Sequence, residues 1–254
     1  MIQVVKLGGA VLEDDALRTQ VLKDFAGMSG PKILVHGGGR EADQLAAKLE
    51  VPVQKVEGRR VTDEATLKLV TMAYGGWLNK RVVAQLQALG VDALGLSGAD
   101  ANVVTGTKRK PNPVDYGLVG DVAVEGVNAD RLLQLAEIGL TPVLCALTHT
   151  GTGQLLNTNA DTLASIVAQA LAAKTQVALS LCFEKPGVLT NVDDDDSWLP
   201  KLSQEEFAEM KAQGQVHTGM IPKLEAGFAA RQAGAKVWVK AASNLMNNKG
   251  TEII

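Results

Sequence analysis

Two cysteines, 4% aromatic residues and a net charge of −3 put several classes of protein out of reach for this 254-residue chain. Cys145 and Cys182 each lie in an apolar run, where a cysteine behaves as a small buried hydrophobe, so neither a disulfide framework nor a zinc site can be built from them. No basic run exceeds Lys108-Arg109-Lys110, which reads as a solvated loop and argues against a nucleic-acid surface. No apolar stretch is long enough to span a bilayer. The opening residues Met1-Ile2-Gln3-Val4-Val5 lead into a glycine turn without the charged and apolar regions of a signal peptide. Cytoplasmic residence is the expectation.

What is present is apolar and periodic. Hydrophobic residues make up 46% of the chain and charged ones only 21%, enough to bury a substantial core in one large α/β unit. Short β-branched runs at 2–7, 32–36, 92–96, 141–145, 176–181 and 235–239 alternate with helical patterns at 14–27, 40–49, 63–89, 129–138, 160–173 and 221–233. Such alternation predicts parallel strands joined by crossover helices. Residues 102–127 break it, being rich in Gly, Pro and Lys, and read as a β-hairpin excursion or lid. The acidic stretch Asn191-Val192-Asp193-Asp194-Asp195-Asp196-Ser197 lacks the glycine and terminal glutamate of a calcium loop and reads as a solvated turn.

Four islands carry chemistry. In Lys6-Leu7-Gly8-Gly9 a strand ends in a turn without side chains, where backbone N–H groups and a helix start favour an anion and Lys6 adds its ammonium. An ordinary βα turn with a surface lysine is the competing reading. The turn matches neither the Walker A loop nor Gly-x-Gly-x-x-Gly. His36-Gly37-Gly38-Gly39 repeats the architecture, and three consecutive glycines have a backbone-entropy cost that suggests a close approach by something else. Two such turns at the carboxyl ends of neighbouring strands would face one crevice. His36 is either a general base or a hydrogen-bonded structural residue.

Gly58-Arg59-Arg60-Val61-Thr62-Asp63 offers a guanidinium for a carboxylate ahead of a helix capped by Thr62 or Asp63, unless both arginines are merely exposed. The third island, Asn157-Thr158-Asn159-Ala160-Asp161, opens a helix. Its asparagines can meet a ligand, and Asp161 is either a helix-dipole partner or a carboxylate that holds the two lysines. The last, Thr218-Gly219-Met220-Ile221-Pro222-Lys223, places Pro222 in a first helical turn and Lys223 within reach of a phosphate there.

In their order, these islands with Arg60-Val61-Thr62 make the chain similar, along essentially its whole length, to the acetylglutamate kinases of the amino acid kinase family. The resemblance implies an open, mainly parallel eight-stranded sheet sandwiched between helices. It also implies a single domain over 1–254, with an N-terminal lobe to about 173 for the acyl amino acid and a C-terminal lobe from about 174 for nucleotide. The implied reaction is ATP-dependent phosphorylation of the side-chain carboxylate of N-acetyl-L-glutamate, in arginine biosynthesis, with ATP and Mg2+ as cofactors. Carried over by position, Lys6 and Lys223 neutralise the transferring group, Asp161 orients them, and Gly9 and Gly38 donate backbone hydrogen bonds to it. Gly38, Gly39, Arg60, Asn157 and Asn159 hold the substrate. Lys6, Gly8, Gly9, Phe183, Glu184, Gly187, Val188, Gly219, Met220 and Lys223 hold the nucleotide. No residue is expected to form a dedicated metal cage. A carboxylate nucleophile is already ionised near neutral pH, so His36 need not act as a base.

The chain departs from its relatives after Leu181. Where they carry an aspartate, in a pattern like Thr-Asp-Val-x-Gly-Val, it reads Cys182-Phe183-Glu184-Lys185-Pro186-Gly187-Val188, in which Gly187 and Val188 still fit the pattern. It starts directly at its first strand, so the resemblance implies an arginine-insensitive homodimer. Rival readings remain within and outside the family. One is the same reaction on N-succinylglutamate or N-acetylaminoadipate, and another is a silent binding protein on the same fold. A dinucleotide-dependent oxidoreductase would need a glycine fingerprint that is absent.

Overall fold

Strand β1 (Ile2–Leu7) forms around the β-branched and apolar residues Ile2, Val4, Val5 and Leu7 and ends at Gly8, whose N–H donates to Cys182 O at 3.2 Å. In this computed structural model, which describes residues 1–254 apart from Glu57, Thr218 and Asn248, β1 lies inside an eight-stranded sheet. Thr218 of the fourth island therefore lies outside the described residues. The chain continues through α1 (Gly9–Glu13), α2 (Asp15–Gly27), β2 (Lys32–His36), α3 (Gly39–Lys48), β3 (Lys55–Val56), β4 (Arg59–Arg60), α4 (Glu64–Thr71), α5 (Asn79–Ala88) and β5 (Ala93–Leu96). Then come β6 (Thr107–Lys108), β7 (Gly120–Asp121), α6 (Ala129–Glu137), β8 (Thr141–Cys145), β9 (Leu147–His149), β10 (Leu155–Asn157), α7 (Ala160–Ala172) and β11 (Val177–Phe183). The last elements are β12 (Lys201–Leu202), α8 (Gln204–Ala212), α9 (Ile221–Gln232), β13 (Lys236–Ala241) and β14 (Thr251–Ile253).

The sheet runs β12-β14-β13-β11-β1-β2-β8-β5, and every neighbouring pair is parallel except β13 with β14. Alternation along the strands divides the core. Val4, Ile33, Val35 and Leu179 pack with Leu132, Leu163, Val167, Phe207 and Leu224 of α6 to α9 on one face. Val5, Leu34 and Val143 pack with Val11, Leu12, Phe25, Val82 and Leu86 of α1, α2 and α5 on the other. Lys6 shares the parity of Val4 and so looks toward α7. His36 shares that of Leu34 and looks toward α5. The register sets Cys182, Leu7, His36 and Cys145 level across the sheet, which brings both glycine turns to one edge.

Several sequence expectations need correction. The single helix at 63–89 is interrupted: a π-helical segment, Met72–Leu78, separates α4 from α5, and Asp63 rather than Thr62 is the cap, accepting from Thr66 N at 2.8 Å. The first helix begins at once, at Gly9, as the short α1. Strands expected at 176–181 and 235–239 run to Phe183 and Ala241. The 102–127 excursion does contain a hairpin, β6 with β7. The acidic turn is exposed, and among the described residues no three His, Cys, Asp or Glu side chains converge on a metal position. Among the described residues no helix is long and apolar enough to cross a membrane.

Candidate active site

Each glycine turn lets backbone approach backbone. The position of a Cβ on Gly9 would lie 3.7 Å from Gly39 N, so the turn after β1 and the turn after β2 abut. A cavity opens on either side of this junction, of about 500 Å³ toward β11 and α9 and about 290 Å³ toward α3, β4 and β10. Lys6, Gly9 and Gly39 line both.

At the junction a single carboxylate oxygen serves two ammonium groups. Lys6 Nζ lies 2.8 Å and Lys223 Nζ 2.9 Å from Asp161 Oδ1. Lys6 comes from the end of β1, Asp161 from the first turn of α7 and Lys223 from the first turn of α9, where Pro222 is tolerated. Burial alone would raise the Asp161 pKa, but the two ammoniums outweigh it and hold the carboxyl well below the usual carboxylate range. Burial lowers the Lys223 pKa, and the neighbouring Lys6 charge adds to the shift. Two like charges held 2.8 and 2.9 Å from one oxygen produce a concentrated positive potential where the cavities meet. Such a site suits an anion that gains charge during a reaction.

The larger cavity is lined by all ten residues to which the resemblance carried over a nucleotide role: Lys6, Gly8, Gly9, Phe183, Glu184, Gly187, Val188, Gly219, Met220 and Lys223. The divergent loop after β11 remains part of its wall. Cys182 is turned into the core, whereas Phe183 faces the cavity with its ring 5.4 Å from Lys223 Nζ. Val188 N donates to Thr251 Oγ1 at 2.8 Å, which ties the loop to β14, and a Cβ at Gly187 would come within 2.6 Å of that oxygen. Sequence reasoning missed Arg40 and His217 on the same wall. Arg40 Nη2 lies 3.5 Å from Glu184 and its Nη1 3.9 Å from Glu13, so it reaches across the cavity mouth.

The smaller cavity is lined by Gly38, Gly39, Arg60, Asn157, Asn159 and Asp161. Arg60 is buried and Arg59 exposed, which separates two arginines that the residues alone left equivalent and of which the resemblance named Arg60. Arg60 Nη2 donates to Gly39 O and to Asp43 Oδ1, both at 2.9 Å, while Nη1 is buried with no partner. A buried guanidinium nitrogen without an acceptor is costly, and a ligand carboxylate would satisfy it. Asn157 is held by donation to Thr62 Oγ1 at 3.0 Å. Asn159 is the cap of α7 and accepts from Thr162 N at 3.0 Å, so its side-chain oxygen is engaged by the helix. Tyr74 and Arg109 also line this cavity, and neither carried a signal in the sequence. Tyr74 is hidden in a helical pattern, and Arg109 in a triplet that reads as solvated.

Comparison with known proteins agrees with this geometry. The model of the amino acid kinase family matches residues 1–241. The chain is 51% identical over 253 residues to acetylglutamate kinase of Bacteroides thetaiotaomicron, covering 99% of this chain and 98% of that one. It is 37% identical to that of Methanopyrus kandleri, covering 98% and 99%. Among solved structures, a Streptococcus mutans protein superposes with a TM-score of 0.81 at 30% identity over 99% of this chain and 98% of its own. An N-acetylglutamate synthase from Neisseria gonorrhoeae, at 20% identity, shares the fold with a TM-score of 0.80 over 99% of this chain and 59% of its own.

Proposed function

The chain belongs to the amino acid kinase family, and we propose that it transfers the γ-phosphoryl group of ATP to the side-chain carboxylate of N-acetyl-L-glutamate, a step of arginine biosynthesis. The observation that carries the reading is the Lys6–Asp161–Lys223 cluster at the meeting point of two cavities. One substrate carboxylate oxygen forms a bond to phosphorus as the bond to the bridging oxygen breaks, and ADP leaves. Such transfer depends on positioning and charge stabilisation rather than on covalent catalysis. Lys6 and Lys223 neutralise the moving charge, Asp161 keeps them together, and Gly9 and Gly38 supply N–H donors. Arg60 Nη1 takes the α-carboxylate, and Gly39 and Asn157 flank the acyl amino acid. The first 173 residues form the acceptor lobe, and the remainder supplies most of the nucleotide wall.

Magnesium accompanies ATP in this reading. Asp161 is already occupied by two lysines and no acidic cluster converges among the described residues, so the donors fit an ion held by nucleotide phosphates and water. The working form is a cytoplasmic homodimer, supported by exposed Met72 and Trp77 on the π-helical segment.

Arg109 favours a second reading of the acyl group. Its Nε and Nη2 are held by Asp121 and the residue lines the acceptor cavity, where an acyl chain with its own carboxylate, as in N-succinylglutamate, would meet it. One assay tests both readings: ADP release from MgATP with N-acetyl-, N-succinyl- and unacylated glutamate. Turnover on an acylated glutamate is expected, with kcat at least about 100-fold lower in Lys223→Ala. Absence of turnover on every acylated glutamate by the folded protein overturns the kinase reading.

A further inference from the structure

His36 ends β2 one residue before the glycine turn, is completely buried and takes no part in the chemistry above. It faces α5, away from Lys6, so it cannot serve the reacting atoms directly. Its ring has two polar neighbours: Gly37 O lies 2.7 Å from Nδ1, and Asn79 Nδ2 lies 3.1 Å from Nε2.

Asn79 settles the tautomer. Its Nδ2 also donates to Val143 O at 2.9 Å, a carbonyl that can only accept, and Lys80 Nζ donates to its Oδ1 at 3.2 Å. The amide nitrogen therefore faces the ring, Nε2 accepts, and the ring proton sits on Nδ1, where it is donated to Gly37 O.

That carbonyl and Gly38 N–H belong to one planar trans peptide unit and point in opposite directions. Fixing Gly37 O consequently fixes the aim of Gly38 N–H. Among the described residues no backbone carbonyl accepts from that N–H, and Gly37, Gly38 and Gly39 all line the acceptor cavity. In a run of three glycines nothing in the side chains restrains the rotation of this unit, so an outside restraint decides its orientation. The π-helical segment adds a second one: a Cβ on Gly38 would approach Tyr74 Cδ1 to 2.7 Å and Leu78 Cδ2 to 3.1 Å.

We propose that His36 is a positioning residue for phosphoryl transfer, which, in a tautomer imposed by Asn79, holds Gly37 O and thereby aims Gly38 N–H at the transferring group. The inference rests on the kinase reading, in which that N–H is a donor to the group. A histidine that only filled the core would affect stability and leave the aim of the turn alone.

Two substitutions divide the ring. The amide nitrogen of Asn occupies the place of Nδ1, so His36→Asn keeps the donor to Gly37 O and loses the acceptor for Asn79. His36→Gln reaches the place of Nε2 and loses the donor. Both are expected to fold less stably, with urea midpoints lowered alike. At a temperature where both are folded, kcat is expected to fall about 100-fold in His36→Gln and no more than about fivefold in His36→Asn, with the KM of the acylated glutamate changed less than about threefold in either. Equal losses of kcat, or no loss in the glutamine variant, overturn the proposal, whereas an inactive wild type overturns the kinase reading instead. The wild-type ring gives an independent readout should a variant fail to fold: 15N spectra of histidine-labelled protein are expected to show His36 protonated on Nδ1. A proton on Nε2 overturns the proposal.

Discussion

At the residue scale, what could be read from the sequence came from the order of several motifs, each of which alone has a second reading. Glycine runs, paired lysines and the Asn-Thr-Asn-Ala-Asp segment pointed to the junction because few other uses require those residues in that order. Tyr74, Arg109 and Arg40 were not legible, because their place in the site depends on helix phases and on a loop that no local pattern specifies. Arg60 shows how the structure adds a decision: one nitrogen serves Gly39 O and Asp43, and the other is buried and unpaired. A lysine has a single charged nitrogen and cannot do both. Arg60→Lys is therefore expected to raise the KM of the acylated glutamate by about 10- to 100-fold with a smaller change in kcat, measured by steady-state kinetics. His36 makes a second prediction, for stability. Burial pushes its pKa down to about 4 from 6.5, helped by the nearby Lys80 charge and opposed by the Gly37 hydrogen bond. The unfolded chain then binds the proton more readily, so stability is complete above about pH 6.5 and is lost as pH falls toward 4, by about 3 kcal/mol in all. Urea midpoints of the wild type between pH 4.5 and 7 should show this slope, and His36→Gln should flatten it.

At the scale of elements, the long crossover helices and the six apolar strands were recognisable because each has a period to detect. The two- and three-residue strands β3, β4, β6, β7, β9, β10, β12 and β14 have none, and pairing alone defines them. The π-helical segment was equally invisible, since Met72–Leu78 lies inside one continuous apolar helical pattern despite its two glycines, yet it turns Tyr74 toward the smaller cavity and Asn79 toward His36. Helix α8 was legible and overlooked. Ser203 and Glu206 form a capping box, with Glu206 N donating to Ser203 Oγ at 3.2 Å and Ser203 N to Glu206 Oε2 at 2.8 Å. Removing the hydroxyl leaves one helix-start donor without its partner, so Ser203→Ala is expected to lower stability by about 1 kcal/mol in denaturant unfolding. Because α8 supplies none of the residues around either cavity, kcat should be unchanged.

For the whole molecule, the site follows from topology. From β1 the chain crosses to β2 on one side, and β11 later pairs on the other, so the carboxyl end of β1 is where ligands collect in an open parallel sheet. That is where Lys6 and the abutting turns lie, and the two cavities share them. Assembly leaves no comparable mark in one sequence, since an exposed apolar residue at a subunit boundary is written like any other helical residue. In the fold, β5 is an edge strand packed against α5, and the π-helical segment before α5 exposes Trp77 at 57% and Met72 at 42%. A second copy of the chain placed on this face would bury both and cover the sheet edge, and it would brace the segment that supports Gly38. Light scattering should accordingly give the wild type twice the mass of one chain. Trp77→Glu places a charge in that contact and is expected to shift the mass toward a monomer at micromolar concentration. A wild-type monomer, or a Trp77→Glu variant that keeps the doubled mass, would show that this face does not hold the assembly together.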